Sequence, residues 1–296
     1  MAQKKAGTVT VLCRQLGFSK QAYYKGLSEK CQTIRHKEVV RQQILSIKAV
    51  LPQVGGRKLH YLLEKSHLEQ GQPKIGRDSL FDLLRQEDLL VKRKRRYVKT
   101  TDSRYWMRRF PNLIKELDIN RPEQVWVADI TYITLEKGFC FLHLVTDAYS
   151  KRVMGYHVSS DMNSTSTAKA LKMAIAARQY SQSLIHHSDR GLQYQSKLYV
   201  EMLEKNGIKI STTQDSSPYD NAIAERINGV LKNEFGIENL ANENLASRLV
   251  KESIQAYNQI RPHLSNHMLT PDQMHTQTQL KRKQWSKKVK EVFGPP

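Results

Sequence analysis

The chain has 296 residues, with 48 Lys and Arg against 28 Asp and Glu, a formal net charge of +20 at pH 7. That length allows one large domain or two to three small ones, and 13 Tyr, 7 Phe and 3 Trp exclude wholesale disorder. There is no membrane-length apolar run and no apolar stretch of a secretory signal near residue 1. Cys13, Cys31 and Cys140 form neither a disulfide framework nor a zinc pattern, so a soluble cytosolic protein is expected.

The charge is segregated. Residues 1–125 carry 27 basic and 12 acidic side chains, residues 126–275 carry 15 of each, and residues 276–296 carry 6 and 1. A neutral middle between basic ends reads as a catalytic or folding core with nucleic-acid-binding arms.

In chain order, Val11, Leu12 and Leu16 make a helical stripe, Gly17 breaks it, and Ser19 caps a second helix carrying Ala22, Tyr23 and Tyr24. Residues 1–37 are therefore expected to be a helical segment resembling a helix-turn-helix. Residues 38–91 hold three helical patterns: Ile44 to Leu51, Arg57 to Glu64, and Asp78 to Leu90 with Leu80, Phe81, Leu83, Leu84 and Leu89 facing a core. With Arg57, Lys58 and Arg77 around them they suit a helix-turn-helix DNA-binding domain, and a plain three-helix adaptor has the same pattern. Lys92, Arg93, Lys94, Arg95 and Arg96 open a basic linker over residues 92–121. Five adjacent cations cannot share a buried face, so this run is a phosphate-binding arm or a solvated connector.

Residues 122–275 change grammar. Val125–Thr134, Phe139–Thr146 and Arg152–Ser159 read as three antiparallel strands. A helix over Ser164–Tyr180, capped by Ser164 or Thr165, precedes a buried strand Leu184–Ser188, a helix Lys197–Asn206 and a last strand Ile208–Thr212. Long helices over Tyr219–Phe235 and Glu243–Gln259 follow, and more helix from Pro271. The expected class is α/β, a mixed sheet with flanking helices behind an all-α region. Residues 276–296 form a basic tail.

Three carboxylates stand out in the neutral core. Asp129 lies inside an apolar strand, where an unpaired charge is costly. Asp189 follows the buried strand directly, at the carboxyl end where α/β sheets place ligands. Glu225 lies on the long helix, with 35 residues between it and Asp189. Three oxygen ligands at one sheet edge suit Mg²⁺, and two such ions can activate the attacking oxygen and stabilise the leaving one in phosphodiester displacement. Taken singly, Asp189 also suits a turn and Glu225 an exposed helix pair. Asn221, Glu225, Asn228 and Lys232 recur on one helix face, suited to gripping a DNA end or to facing solvent. His187, two residues before Asp189 on the same strand face, orients the site or packs in the core.

The words WVADITYI, HSDRGLQY and SPYDNAIAERINGVLKNE around these acids, with Tyr257-Asn258, Arg261-Pro262-His263 and Thr270-Pro271 behind them, resemble the OrfB-type transposases of the insertion sequence 3 family. The resemblance extends over nearly the whole chain. It implies an RNase-H-like, retroviral-integrase-like core in which Asp129, Asp189 and Glu225 are the catalytic and metal-binding residues. It further implies Mg²⁺ or Mn²⁺, two ions per site, and cutting and joining of double-stranded element ends and target DNA in the bacterial cytosol, at the nucleoid. A homo-oligomer on DNA, dimer or higher, and an OrfA partner or fused form are expected. Asp147, where the family has an acidic residue, reads as a turn or packing group. The rival readings are a non-catalytic transposase-derived regulator, and an RNase-H-like nuclease or resolvase that cleaves without joining.

Overall fold

Alternating apolar patterns over residues 125–212 produce five strands, seen in a computed structural model that describes residues 7–71, 73–91, 110–213, 222–277 and 280. The strands are β1 (Val125–Thr134), β2 (Phe139–Asp147), β3 (Val153–Ser159), β4 (Leu184–Ser188) and β5 (Ile208–Thr212). They form one sheet in the order β3-β2-β1-β4-β5, with β1, β2 and β3 antiparallel and β4 and β5 parallel to β1. This is the RNase-H-like arrangement.

β1 is apolar on both faces because both are covered. Trp126 and Ala128 pack with Leu171 and Ala174 of α5 (Ser164–Ala176) and Tyr199 and Leu203 of α6 (Lys197–Lys205). On the opposite face Ile133 packs with Ile227, Val230 and Leu231 of α7 (Ala222–Glu234) and with Val250 and Ile254 of α8 (Glu243–Gln259). α9 (Pro271–His275) follows, with Thr270 and Gln273 forming a capping box at its start. Both edge strands are occupied: Asn258 of α8 pairs its amide with Val153 N and O on β3, and Phe110 O and Pro111 O accept from Thr212 on β5.

The N-terminal unit contains α1 (Gly7–Gln15), α2 (Lys20–Val50), α3 (Gly56–Gln70) and α4 (Arg77–Gln86). Ser19 Oγ accepts from Ala22 N at 3.0 Å, capping α2 as its position suggests. α2 runs without a break across residues 37 and 38, where the sequence reading divides two segments. Val40 and Ile44 of α2, Leu59 and Leu63 of α3, and Leu80, Leu83 and Leu84 of α4 are buried.

Three further details differ from expectation. The stripe Val11, Leu12 and Leu16 is exposed, since α1 buries Cys13 instead. α4 stops at Gln86 rather than Leu90, with Asp88 in the left-handed region at φ 50°. α5 begins after Asn163, with no side-chain cap, and ends at Ala176 because Gln179 N and Tyr180 N turn to the Glu123 carboxylate, each at 2.9 Å. The basic run Lys92, Arg93, Lys94, Arg95 and Arg96, Asn221, and residues 281–296 of the tail lie outside the described residues. Among the described residues no helix is long and apolar enough to cross a membrane.

Candidate active site

The parting of two parallel strands makes the site. β4 pairs with β1 only from Val125 to Val127, with Val127 opposite His187. Asp129 and Asp189 each stand two residues further on, so the register sets them at the same level where the strands diverge. A crevice at the carboxyl ends of parallel strands is where such sheets bind ligands.

Asp129 follows Val127 on the face covered by α7, and there meets Asn228, whose Nδ2 donates to Asp129 Oδ2 at 2.6 Å. Burial raises the Asp129 carboxyl to about 7, helped by the charges of Asp189 and Glu225, while the Ile130 amide and Asn228 oppose the shift. Glu225 itself is exposed, one helical turn before Asn228. Asp189 accepts from Gly191 N at 3.0 Å on Oδ1. Loss of solvent raises its carboxyl, and that amide lowers it.

Asp129 therefore feels the charge of both other acids. Among the described residues no group of three or more His, Cys, Asp or Glu side chains closes on a common metal position. The donor chemistry nevertheless fits a hard divalent cation: all three are carboxylates, and the repulsion that Asp129 feels from the other two is of the kind such a cation cancels.

Other site residues fall differently. His187 is fully buried, its Nδ1 at 2.9 Å from Ser211 Oγ of β5. Asn228 is buried against Asp129 rather than turned out towards DNA, because its helix position faces β1. Lys232, one turn further, holds Nζ 4.1 Å from the centre of the Tyr132 ring, and burial lowers its pKa against the opposing charges of Glu238 and Asp129. Arg57 and Arg77 are exposed at the starts of α3 and α4, with Arg77 paired to Asp78 at 2.9 Å, and Lys58 is half-buried on α3. Asp147 is a packing group: its Oδ1 accepts from Glu123 N and its Oδ2 from Ser150 N and Oγ.

Tyr194 escaped the sequence reading. It is buried against His186 and Tyr199, and its hydroxyl finds no hydrogen-bond partner among the described residues. Its pKa is raised by burial and then by the charges of Asp189 and Asp129. Its place five residues after Asp189 was the one available signal.

The C-terminal motif supports this site from behind. Arg261 grips Glu234, the last residue of α7, through Nε at 2.8 Å and Nη2 at 2.6 Å, and its Nη1 lies 2.8 Å from His263 Nε2. Tyr257 packs edge-on against His263. These contacts fix the helix that carries Glu225 and Asn228.

Comparison with known proteins gives the chain's relatives. An integrase core domain family matches residues 119–218, and a second integrase core domain family matches residues 206–271. The chain is 30% identical over 257 residues to the insertion element IS600 uncharacterized 31 kDa protein of Shigella sonnei, covering 85% of this chain and 93% of that one. It is 31% identical over 232 residues to the transposase for insertion sequence element IS629 of Shigella sonnei, covering 75% of each. It is 27% identical over 276 residues to the transposase InsF for insertion sequence IS3A of Escherichia coli, covering 90% of this chain and 93% of that one. Among solved structures, the HTLV-2 integrase catalytic core domain in complex with magnesium is 22% identical, with a TM-score of 0.43 over 52% of this chain and 97% of that one. Sequence motifs, sheet order and relatives agree: the chain belongs to the insertion sequence 3 family of DNA transposases.

Proposed function

We propose that this chain cuts and joins the ends of its own insertion element, with Asp129, Asp189 and Glu225 as the catalytic carboxylates and ligands of two divalent ions, Mg²⁺ or Mn²⁺. The observation that carries the reading is the shared level of Asp129 and Asp189 where β1 and β4 part. The charge of Glu225 reaches Asp129 from α7 and supports it.

When bound, the ions supply activation of the attacking oxygen and neutralisation of the leaving one. The chain's own residues do the rest. Asn228 holds one oxygen of Asp129 in place. Lys232, braced on Tyr132, offers a cation to a phosphate near Asp129. Arg57, Lys58 and Arg77 of the helix-turn-helix region, with Lys92, Arg93, Lys94, Arg95, Arg96 and Asn221, grip the DNA. The nucleophile is water in the first step and a freed DNA 3′-hydroxyl in the second, so no covalent protein intermediate is needed. Two ends cut together call for a dimer or larger assembly on DNA, with an OrfA partner or fused form contributing end recognition.

Strand transfer in Mg²⁺ or Mn²⁺ tests this, using duplexes that carry the inverted repeats flanking the gene. Wild type is expected to give joined products, and Asp129→Ala and Glu225→Ala none. Cleavage without joining favours a nuclease, and DNA binding with no reaction favours a regulator.

A further inference from the structure

Among the described residues, residues 20–35 of α2 are a helix with no buried side chain. All sixteen are exposed, over four turns, before His36 reaches His67 of α3. An isolated helix of this length is marginal in water, and helices of folded proteins owe their stability to a buried face. The apolar residues that should supply that face are present. Tyr24, Leu27, Cys31 and Ile34 follow one another at spacings of three, four and three, the pattern of a coiled-coil seam. Leu27 is 48% exposed and Ile34 59%.

A groove of about 380 Å³ between α1 and the start of α2 is lined by Val9, Leu12, Leu16, Phe18 and Tyr23. Exposed apolar surface on this scale marks a protein contact. Duplex DNA, which presents phosphates, would leave such a seam uncovered.

Charge selects the occupant. With Tyr24 and Cys31 at one seam position and Leu27 and Ile34 at the other, the charged residues beside the seam are Lys30, Arg35 and Lys37, all cations. The acid within residues 20–37, Glu29, lies on the far side of the helix. Residues flanking a seam set partner choice, and a parallel second copy would bring Lys30 against Arg35 of its partner. The chain's own basic segments fail for the same reason, since residues 92–109 hold nine cations and one acid and residues 281–296 six and one.

We propose that residues 20–35 dock an amphipathic helix of another protein whose apolar seam is flanked by Asp and Glu. The surface lies on the N-terminal unit and stands whether or not the three carboxylates carry the catalytic reaction.

The test uses the full chain and a fluorescent three-heptad peptide with Leu in the seam and Glu on both flanks. Peptides with Lys on the flanks, or with the Glu peptide's residues scrambled, are the controls. Fluorescence anisotropy should show the Glu peptide binding at least about tenfold more tightly than either control. The double variant Leu27→Asp with Ile34→Asp should weaken that binding about tenfold or more, with helix content and random-duplex binding unchanged. Because both side chains are exposed, the fold should tolerate the variant. Equal binding of the three peptides, or no effect of the double variant, overturns the proposal. So does loss of duplex binding in that variant, which marks a nucleic-acid contact. A Cys31–Cys31 disulfide dimer formed by diamide without peptide also overturns it, marking a second copy; Cys31 is exposed while Cys13 and Cys140 are buried.

Discussion

Asn228 Nδ2 donates to Asp129 Oδ2 at 2.6 Å, across 99 residues of sequence, and that bond ties the helix of Glu225 to the strand of Asp129. The Asn228 Oδ1 atom is buried without a partner among the described residues, and the contact with the carboxylate orients the amide. Asn228→Ala should cost about 1.5–3 kcal/mol of stability, the range for a hydrogen bond to a charged group. It should also lower the rate of end cleavage about ten- to a hundredfold, as loss of a ligand-orienting partner does. Urea unfolding and single-turnover cleavage measure the two effects. An unchanged rate in a folded variant would remove Asn228 from the site.

Arg261 and Glu234 form a two-point ion pair in which the arginine side chain is 3% exposed. Removing one partner strands the other charge, so Arg261→Ala should destabilise the core by about 3–5 kcal/mol. Because Glu234 ends α7, hydrogen exchange should rise first along that helix. Exchange that rises evenly over the sheet would contradict this.

His275 of α9 is buried between two acids. Ser150 Oγ has a single hydrogen, which goes to Asp147 Oδ2 at 2.6 Å, so His275 Nδ1 donates to Ser150 at 3.0 Å. Nε2 faces Glu123 Oε1 at 3.3 Å and donates there, leaving the ring doubly protonated. Burial pushes its pKa down, but the hydrogen bonds and charge of Asp147, with the hydrogen bond of Glu123, outweigh that and Arg152, and the net shift is upward. The raised value means the contribution to stability is complete below the unfolded value near 6.5 and is lost as pH rises through the folded value. Urea unfolding between pH 6 and 9 should show wild type losing stability relative to His275→Gln. Parallel curves would refute it.

Gly155 on β3 lies against α5. A Cβ there would run into the Ala170 carbonyl and lie 2.6 Å from Ala174 N, both of them backbone atoms. Gly155→Ala should cost about 3 kcal/mol or more, since strand and helix must separate. A melting temperature within a degree or so of wild type would show that the layers give way easily.

The strands β1, β4 and β5 and the helix α8 were legible to the residue, because alternation and helical period depend on neighbours close in sequence. Asp129 and Asp189 stand out as candidates for a related reason, since an acid inside an apolar strand and another just past a buried one are anomalies of local pattern; Glu225 stands out only by its spacing from Asp189. The end of α5 was not, because the Glu123 carboxylate that stops it lies more than fifty residues earlier.

The sequence by itself determined the elements, the segregation of charge, the three carboxylates and, through its motifs, the family. Tertiary structure alone decided what each face meets. It turned Asn228 inward onto Asp129, made the Arg261 motif a brace for α7, set His275 against Glu123 across 152 residues, and left Leu27 and Ile34 uncovered. Periodicity states that a face is apolar or charged; only the packing of distant segments states what neutralises or covers it.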